Sequence, residues 1–257
     1  MGEARRKREA DGIHIREDQS AATQFEARFA VAMETIGGVR PATLNARSDS
    51  QKNADFVFNG GQCISELKCL VDDPNSDGRF DRKVSSLFEV WIRERLVRPL
   101  PEASLINIQT LPPKCAEIVL AVAGRRMRDV VRKANDQITA TKELLGFDGA
   151  PGLLILANIG YRSLSPESIV CCLARIHWQE LANIDGLILM SHGIGYSFPG
   201  ISMPSELWAQ PKLGHETRPI PDGLYFRIRE AWTKEASKGT LIYEFQTDDT
   251  WLGAMKA

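Results

Sequence analysis

The sequence predicts an α/β protein built on a mixed sheet flanked by helices, and three features carry that expectation. The segments Gly152 to Ala157 and Gly186 to Met190 are apolar almost throughout, as buried strands are. A helical stretch, Pro166 to Arg175, lies between them and gives a strand–helix–strand order. Upstream, two β-rich segments, Ala54 to Phe58 and Cys63 to Leu70, meet at Asn59-Gly60-Gly61, a strong hairpin turn.

The remaining elements follow in chain order. Residues 1–19 are polar, charged and without periodicity, and read as a flexible basic tail carrying Arg5-Arg6-Lys7-Arg8. Residues 20–257 read as a single domain, with a core over 20–195 and a C-terminal extension over 196–257. A first helix is expected from Ala21 to Ile36, capped by Ser20 and ended by Gly37-Gly38. Phe25, Phe29, Ala32 and Ile36 recur on one face of it, and Glu26 lies beside that face. Asp72 to Gly78 is loop-like. A helix over Val84 to Val97 is expected to stop before Pro99, and Leu105 to Leu111 reads as a strand. Pro112-Pro113 opens a helical region that runs to Leu145, with Gly124 splitting it and Gly146 closing it. After Gly193 glycine and proline accumulate and periodicity fades. Leu224 to Ile228 and Leu241 to Phe245 read as late strands.

Composition narrows the function. The chain has 257 residues, 43% hydrophobic and 25% charged, enough to bury a core without covalent staples. Five cysteines, an odd number with no CxxC pair, argue against a disulfide framework or a zinc site, and the expected compartment is a reducing cytoplasm. No apolar stretch follows the basic run, so a secretory leader is not expected. The longest apolar runs, Ile118 to Ala123 and Leu153 to Ala157, fall far short of the roughly 20 residues that span a bilayer, so no membrane partner is expected. A net charge of -1, from 32 basic and 33 acidic residues, excludes a strongly basic coating protein but not an enzyme acting on nucleic acid.

The chemistry concentrates in the hairpin. Side chains alternate along a strand, so Glu66 and Lys68 share a face, while Leu67 points the other way. The turn brings Asp55 back beside Glu66. Two carboxylates and an ammonium group then meet at one end of a hairpin. Carboxylate oxygens suit Mg²⁺, which keeps its waters and binds substrate phosphate. Such an ion activates a water and offsets phosphoryl charge, and a lysine on the same face can stabilise the charge that develops.

This order (helix with Glu26, strand with Asp55, strand with Glu66-Leu67-Lys68, helix, strand) resembles the PD-(D/E)XK nuclease superfamily over residues 20 to 160. The resemblance implies a restriction-endonuclease-like core, a mixed four- to five-stranded sheet flanked by helices. It implies Asp55 and Glu66 as metal ligands, the Leu67 carbonyl as a backbone ligand and Lys68 as the catalytic lysine. Glu26 resembles the first-helix acid of many members. Gln137 lies on the helix before the Gly152 strand, where many members carry a polar residue facing the site. Lys133 precedes Gln137 by one turn. Ala54 stands where the motif has proline. The expectation is a Mg²⁺-dependent endodeoxyribonuclease, with Mn²⁺ able to substitute, serving restriction or defence, and working as a homodimer by analogy with enzymes that cut both strands. The alternatives are a catalytically idle relative that binds nucleic acid or a partner protein, and a metal enzyme acting on another phosphate ester.

The helix Gly124 to Lys133 is rich in basic residues, and Arg125, Arg128 and Lys133 are candidate phosphate contacts. Asp72, Asp73 and Asp77 faintly resemble a calcium loop but lack its terminal Glu, so a turn-rich loop near the substrate is expected. Gly193-Ile194-Gly195 is followed by Pro199 and Pro204, which excludes a dinucleotide fingerprint. His14, His177, His192 and His215 show no ligand spacing, and neither a Walker loop nor a nucleophile elbow occurs.

Overall fold

The computed structural model describes residues 21–44, 53–76, 78–99, 108–198, 201–213, 217–236 and 241–244. The basic tail, His14, Asp77, His215 and the start of the segment expected as a strand at Leu105 lie outside them. Residues 21–35 form helix α1. There follow β1 (Gly38–Val39), α2 (Pro41–Leu44), β2 (Phe56–Phe58), β3 (Cys63–Leu70), α3 (Arg79–Arg93), α4 (Pro113–Ala123) and α5 (Arg125–Leu145). The second half adds β4 (Gly152–Asn158), α6 (Pro166–Ala174), β5 (Gly186–Ser191), β6 (Gly195–Phe198), β7 (Ile201–Ala209), α7 (Leu224–Ala236) and β8 (Leu241–Glu244).

The sheet is mixed, in the order β1-β2-β3-β4-β5-β7-β6, with β8 also paired to β7. It is larger than the expected four to five strands, with eight among the described residues. β2 and β3 form the expected antiparallel hairpin, while β3, β4 and β5 run parallel. The hairpin turn needs left-handed backbone at three successive residues, Asn59 (φ 48), Gly60 (φ 65) and Gly61 (φ 102). Two glycines and an asparagine adopt it at least cost.

Each sheet face has its own core. One cluster joins Ile64, Leu70, Leu154 and Leu156 to Met127, Val131 and Ile138 of α5 and to Ile169 and Cys172 of α6. The other joins Leu67, Leu153 and Ile155 to Phe25 and Phe29 of α1 and to Trp232 of α7. The Phe25 and Phe29 rings lie 4.7 and 5.4 Å from that of Trp232. β3 thus divides its side chains strictly by alternation, which puts Glu66 and Lys68 on the α5 face.

Several boundaries differ from expectation. Ile108–Thr110, inside the segment expected as a strand, is a 3-10 turn leading into α4. The helix expected over Val84 to Val97 runs from Arg79 to Arg93, and the left-handed Arg95 (φ 59) rather than Pro99 marks its end. Leu224 to Ile228 is not a strand but the start of α7, whose buried Leu224, Ile228, Ala231 and Trp232 follow a helical period. The weakly patterned stretch after Gly193 contains the antiparallel β6–β7 pair. Pro204 is tolerated on β7 because it faces only Gly195 of β6, with the β8 and β5 pairings beginning at Ser205 and Leu207.

A buried polar network ties down the N-terminal ends of β4 and β5. Asp185 accepts from Gly152 N at 2.8 Å, from Arg218 N at 2.8 Å and from Arg218 Nε at 2.9 and 3.0 Å. The buried Lys142 of α5 donates to Asn183 Oδ1 at 3.1 Å and lies 3.9 Å from Asp185. Burial, and then the neighbouring Arg218, lower its ammonium to about 8. Among the described residues, no helix is long and apolar enough to cross a membrane.

Candidate active site

The acid pair follows from the register of the hairpin. Phe56 faces Ser65, so Asp55, one residue earlier, faces Glu66. Asp55 Oδ2 accepts from Leu67 N at 2.9 Å. The backbone groups of even-numbered β3 residues face β4, since Ile64 N bonds Pro151 O and Leu70 O accepts from Gly160 N. Those of Leu67 therefore face the β2 side, beyond the last β2–β3 pair at Phe56 and Ser65. Asp55 takes up the Leu67 N–H, and the Leu67 carbonyl is directed to the same side as the acid pair.

Glu66 is 1% exposed and sits against the other two chemical groups of the site. Its Oε1 accepts from Lys68 Nζ, while its Oε2, shielded from solvent, has no hydrogen-bond partner. Burial, then the charge of Asp55, push the Glu66 carboxyl up to about 8. Burial also raises Asp55, against the lowering effects of the Leu67 N–H, Lys68 and Arg40. Without a cation, two desolvated carboxyls this close cannot both ionise cheaply.

Helix α5 closes the site. Lys68 Nζ donates to Gln137 Oε1 at 2.6 Å, and Gln137 Nε2 donates to Asn53 O at 2.9 Å. One turn later the buried Thr141 accepts from Ala54 N at 2.7 Å and donates to Gln137 O at 2.9 Å. The helix thus grips the two residues before Asp55 and the tip of Lys68 together. Lys68, with its side chain 22% exposed, is the half-open member of the group.

The structure separates the other candidates. Glu26 is exposed on α1, near the Cys69 thiol, on the opposite face of β3 from Glu66 and Lys68. Burial first, and then Glu26, raise that thiol. Arg128 lies nine residues before Gln137, about 180° round the helix. It is half-buried, on the flank where Asn135 Oδ1 accepts from Asn183 N. Arg125 is exposed, about 120° from Gln137. Lys133 is exposed on the Gln137 stripe, about 40° away. Arg126 lies only about 20° from Gln137 on the same stripe and was not singled out by sequence; it reaches Asp72 O at 3.4 Å. Helical phase along α5 was the signal that could have distinguished Arg126 from Arg128. Arg40, also missed, acts on Asp55 through its charge.

Asp73 clamps two loops. Its carboxylate accepts from Asn75 N at 2.8 Å, Arg162 N at 2.5 Å, Ser163 N at 2.7 Å and Ser163 Oγ at 2.6 Å. With its oxygens so engaged it holds the turn after β3 to the turn after β4. His192 packs against the rings of Phe25 and Trp232, at 5.5 and 5.3 Å. All five cysteines are free thiols.

Among the described residues, no group of three or more His, Cys, Asp or Glu side chains is gathered closely enough to hold a metal ion. The side-chain ligands on offer are the two carboxylates of Asp55 and Glu66. Mg²⁺ commonly takes one or two carboxylates and fills the remaining positions with water and phosphate oxygens. Comparison with models of known protein families, with curated proteins and with solved structures returns no match.

Proposed function

We propose that the protein is a metal-dependent nuclease of restriction-endonuclease-like fold, hydrolysing phosphodiester bonds in DNA at the Asp55–Glu66–Lys68 site. The observation that carries the reading is the acid pair itself. A buried carboxyl pushed up to about 8, with one oxygen lacking any partner, beside a second raised carboxyl, is a costly arrangement with an evident use as a cation site. The fit to Mg²⁺ or Mn²⁺ rests on all-oxygen donors: Asp55, Glu66 and the Leu67 carbonyl.

When bound, such an ion supplies charge to the phosphoryl oxygens and makes a water more acidic. Asp55 and Glu66 hold it. Lys68 orients the attacking water and stabilises the developing negative charge. Gln137 keeps Lys68 directed at that point, and the Thr141 bond to Ala54 N fixes the backbone that carries Asp55. Lys133 and Arg126, on the Gln137 stripe of α5, are the phosphate contacts in this reading. Arg125 and Arg128 face away from that stripe, and Glu26 lies outside the ligand set.

One observation favours the idle relative that only binds: Lys68 and Glu66 are closed on one another, and among the described residues no third acid joins the pair. Incubating the protein with plasmid, linear duplex, single-stranded DNA and RNA, in Mg²⁺, Mn²⁺ or chelator, separates the readings. Divalent-dependent cleavage of DNA supports the nuclease. Absence of cleavage together with absence of Mg²⁺ or Mn²⁺ binding supports the idle relative.

A further inference from the structure

We propose that the cleaved strand is gripped on one side only of its scissile phosphate, along a track leading from Lys68 past Lys133 and Arg126 to Arg162 in the turn after β4; the assignment rests on the nuclease reading above. α5 lies along β3 in the reverse direction. Gln137 bonds Lys68, while Arg126, eleven residues earlier, reaches Asp72 O beyond the end of β3. The site therefore has two ends, one at the hairpin turn and one at the turn after β3, and the two differ.

Toward the hairpin turn, α5 is fastened to the strands. Gln137 Nε2 donates to Asn53 O at 2.9 Å, and Thr141 accepts from Ala54 N at 2.7 Å. Past the end of the helix the Phe147 ring lies against the turn itself, since a Cβ at Gly61 would come within 2.7 Å of it. Ala140 and Leu144 continue the Gln137 stripe without charge, and Glu143 and Asp148 are exposed. A polyanion meets packed side chains and exposed acids at this end.

Toward the other end these contacts give way to cations. Lys133 and Arg126 are exposed on the Gln137 stripe. Arg126 stands in the first turn of α5, which has no acidic residue. A cation there opposes the helix dipole, whereas a phosphate is favoured. Asp73 accepts from Arg162 N at 2.5 Å and from Ser163 N at 2.7 Å, so the turn after β4 is clamped to the turn after β3. The clamp brings the exposed Arg162 to this same end. With Asp73 so engaged, Asp72 is the exposed acid of the two turns, against Arg126 and Arg162. From Gln137 to Arg126 the helix covers about 16 Å. That length matches about five nucleotides of one strand, at about 3.4 Å each.

The test uses a labelled duplex carrying a site that wild type cuts in plasmid DNA. The labelled strand alone is shortened, one nucleotide at a time, from either end, and cleavage is followed in Mg²⁺. Shortening one flank below about five nucleotides is expected to raise KM about tenfold with little change in kcat. Shortening the other flank should change neither. The double variant Lys133→Ala/Arg126→Ala should handle the full-length duplex as poorly as wild type handles the shortened one, with no further loss on shortening. Its salt slope for DNA binding in Ca²⁺ should fall by roughly 1.8, for two phosphate contacts. The charge control Arg132→Ala should behave as wild type. Arg132 is exposed, lies 3.9 Å from Glu180, and stands about 140° from Gln137 round α5. Equal losses on shortening either flank of the wild-type substrate, or a double variant that keeps the wild-type asymmetry, overturn the one-sided track and leave the nuclease reading standing. If wild type does not cut DNA, the nuclease reading falls and the proposal with it.

Discussion

Lys68 on β3 donates from Nζ to Oε1 of Gln137 on α5 at 2.6 Å, so the candidate catalytic lysine is held by a helix as well as by its own strand neighbour Glu66. The two residues are far apart in sequence and belong to different layers. Their bond fixes a flexible side chain at the half-open edge of an otherwise buried site.

Removing either end of this bond should act on turnover. Lys68→Ala is expected to lower kcat by about 10²- to 10⁴-fold, the usual loss for a group at the transition state. Gln137→Leu should cost less, about tenfold, because Lys68 stays near Glu66 but loses its orienting partner. Single-turnover cleavage with saturating protein measures both. Equal losses in DNA binding and in rate would instead make Lys68 a phosphate anchor.

Stability in chelator should depend on pH through Glu66. Its folded carboxyl stands at about 8, above the ordinary value of 4.5. The stabilisation from the protonated form is therefore fully present below 4.5 and is lost as pH rises through about 8. Thermal unfolding in chelator should show the melting temperature falling across this window, on the order of 5 °C, relative to Glu66→Gln. Added Mg²⁺ should remove the fall, since a bound cation takes the place of the proton. Parallel pH profiles for wild type and Glu66→Gln would contradict the buried, uncompensated carboxyl.

The polar network at the far end of the sheet is structural. Asp185 is the acceptor for Gly152 N, Arg218 N and the Arg218 guanidinium. Asp185→Ala leaves the buried Lys142 and the Gly152 N–H without it and should destabilise by about 3–5 kcal/mol in urea unfolding. A loss below about 1 kcal/mol would show that these groups find other partners.

The sequence disclosed the hairpin and its acids because their rules are local. Alternation along Cys63 to Leu70 and the Asn59-Gly60-Gly61 turn suffice to set Asp55 against Glu66. The apolar strands β4 and β5, the split at Gly124 and the close of α5 at Gly146 were legible for the same reason. What escaped depends on contacts between distant segments. Leu224 to Ile228 alone is too short a segment to expose the helical period of α7. The β6–β7 pair carries Gly195 opposite Pro204, which suppresses the usual strand signal. Arg40 gave no motif, and its charge comes near Asp55 only in the folded chain. Asp73 is expected only as part of a turn-rich loop, and the folded turn at Arg162 and Ser163 reveals its partners.

Calcium separates binding from chemistry. Ca²⁺ accepts the same oxygen donors with looser geometry. It should hold the protein on DNA with little cleavage, and Asp55→Ala should abolish the Ca²⁺ dependence of binding. Equal affinity of wild type in Ca²⁺ and in chelator would place the affinity in basic residues such as Lys133 and Arg126 instead.

The most direct measurement of the central claim is cleavage of plasmid DNA by wild type and by Glu66→Gln, each in Mg²⁺ and in chelator, with folding checked by circular dichroism. Wild type should cut in Mg²⁺ and stop in chelator. Glu66→Gln keeps the size of the side chain but loses a charged ligand, so it should remain folded and not cut. Cleavage by a folded Glu66→Gln protein at the wild-type rate, or by wild type equally well in chelator, would contradict the assignment of this acid pair as a metal-dependent catalytic site.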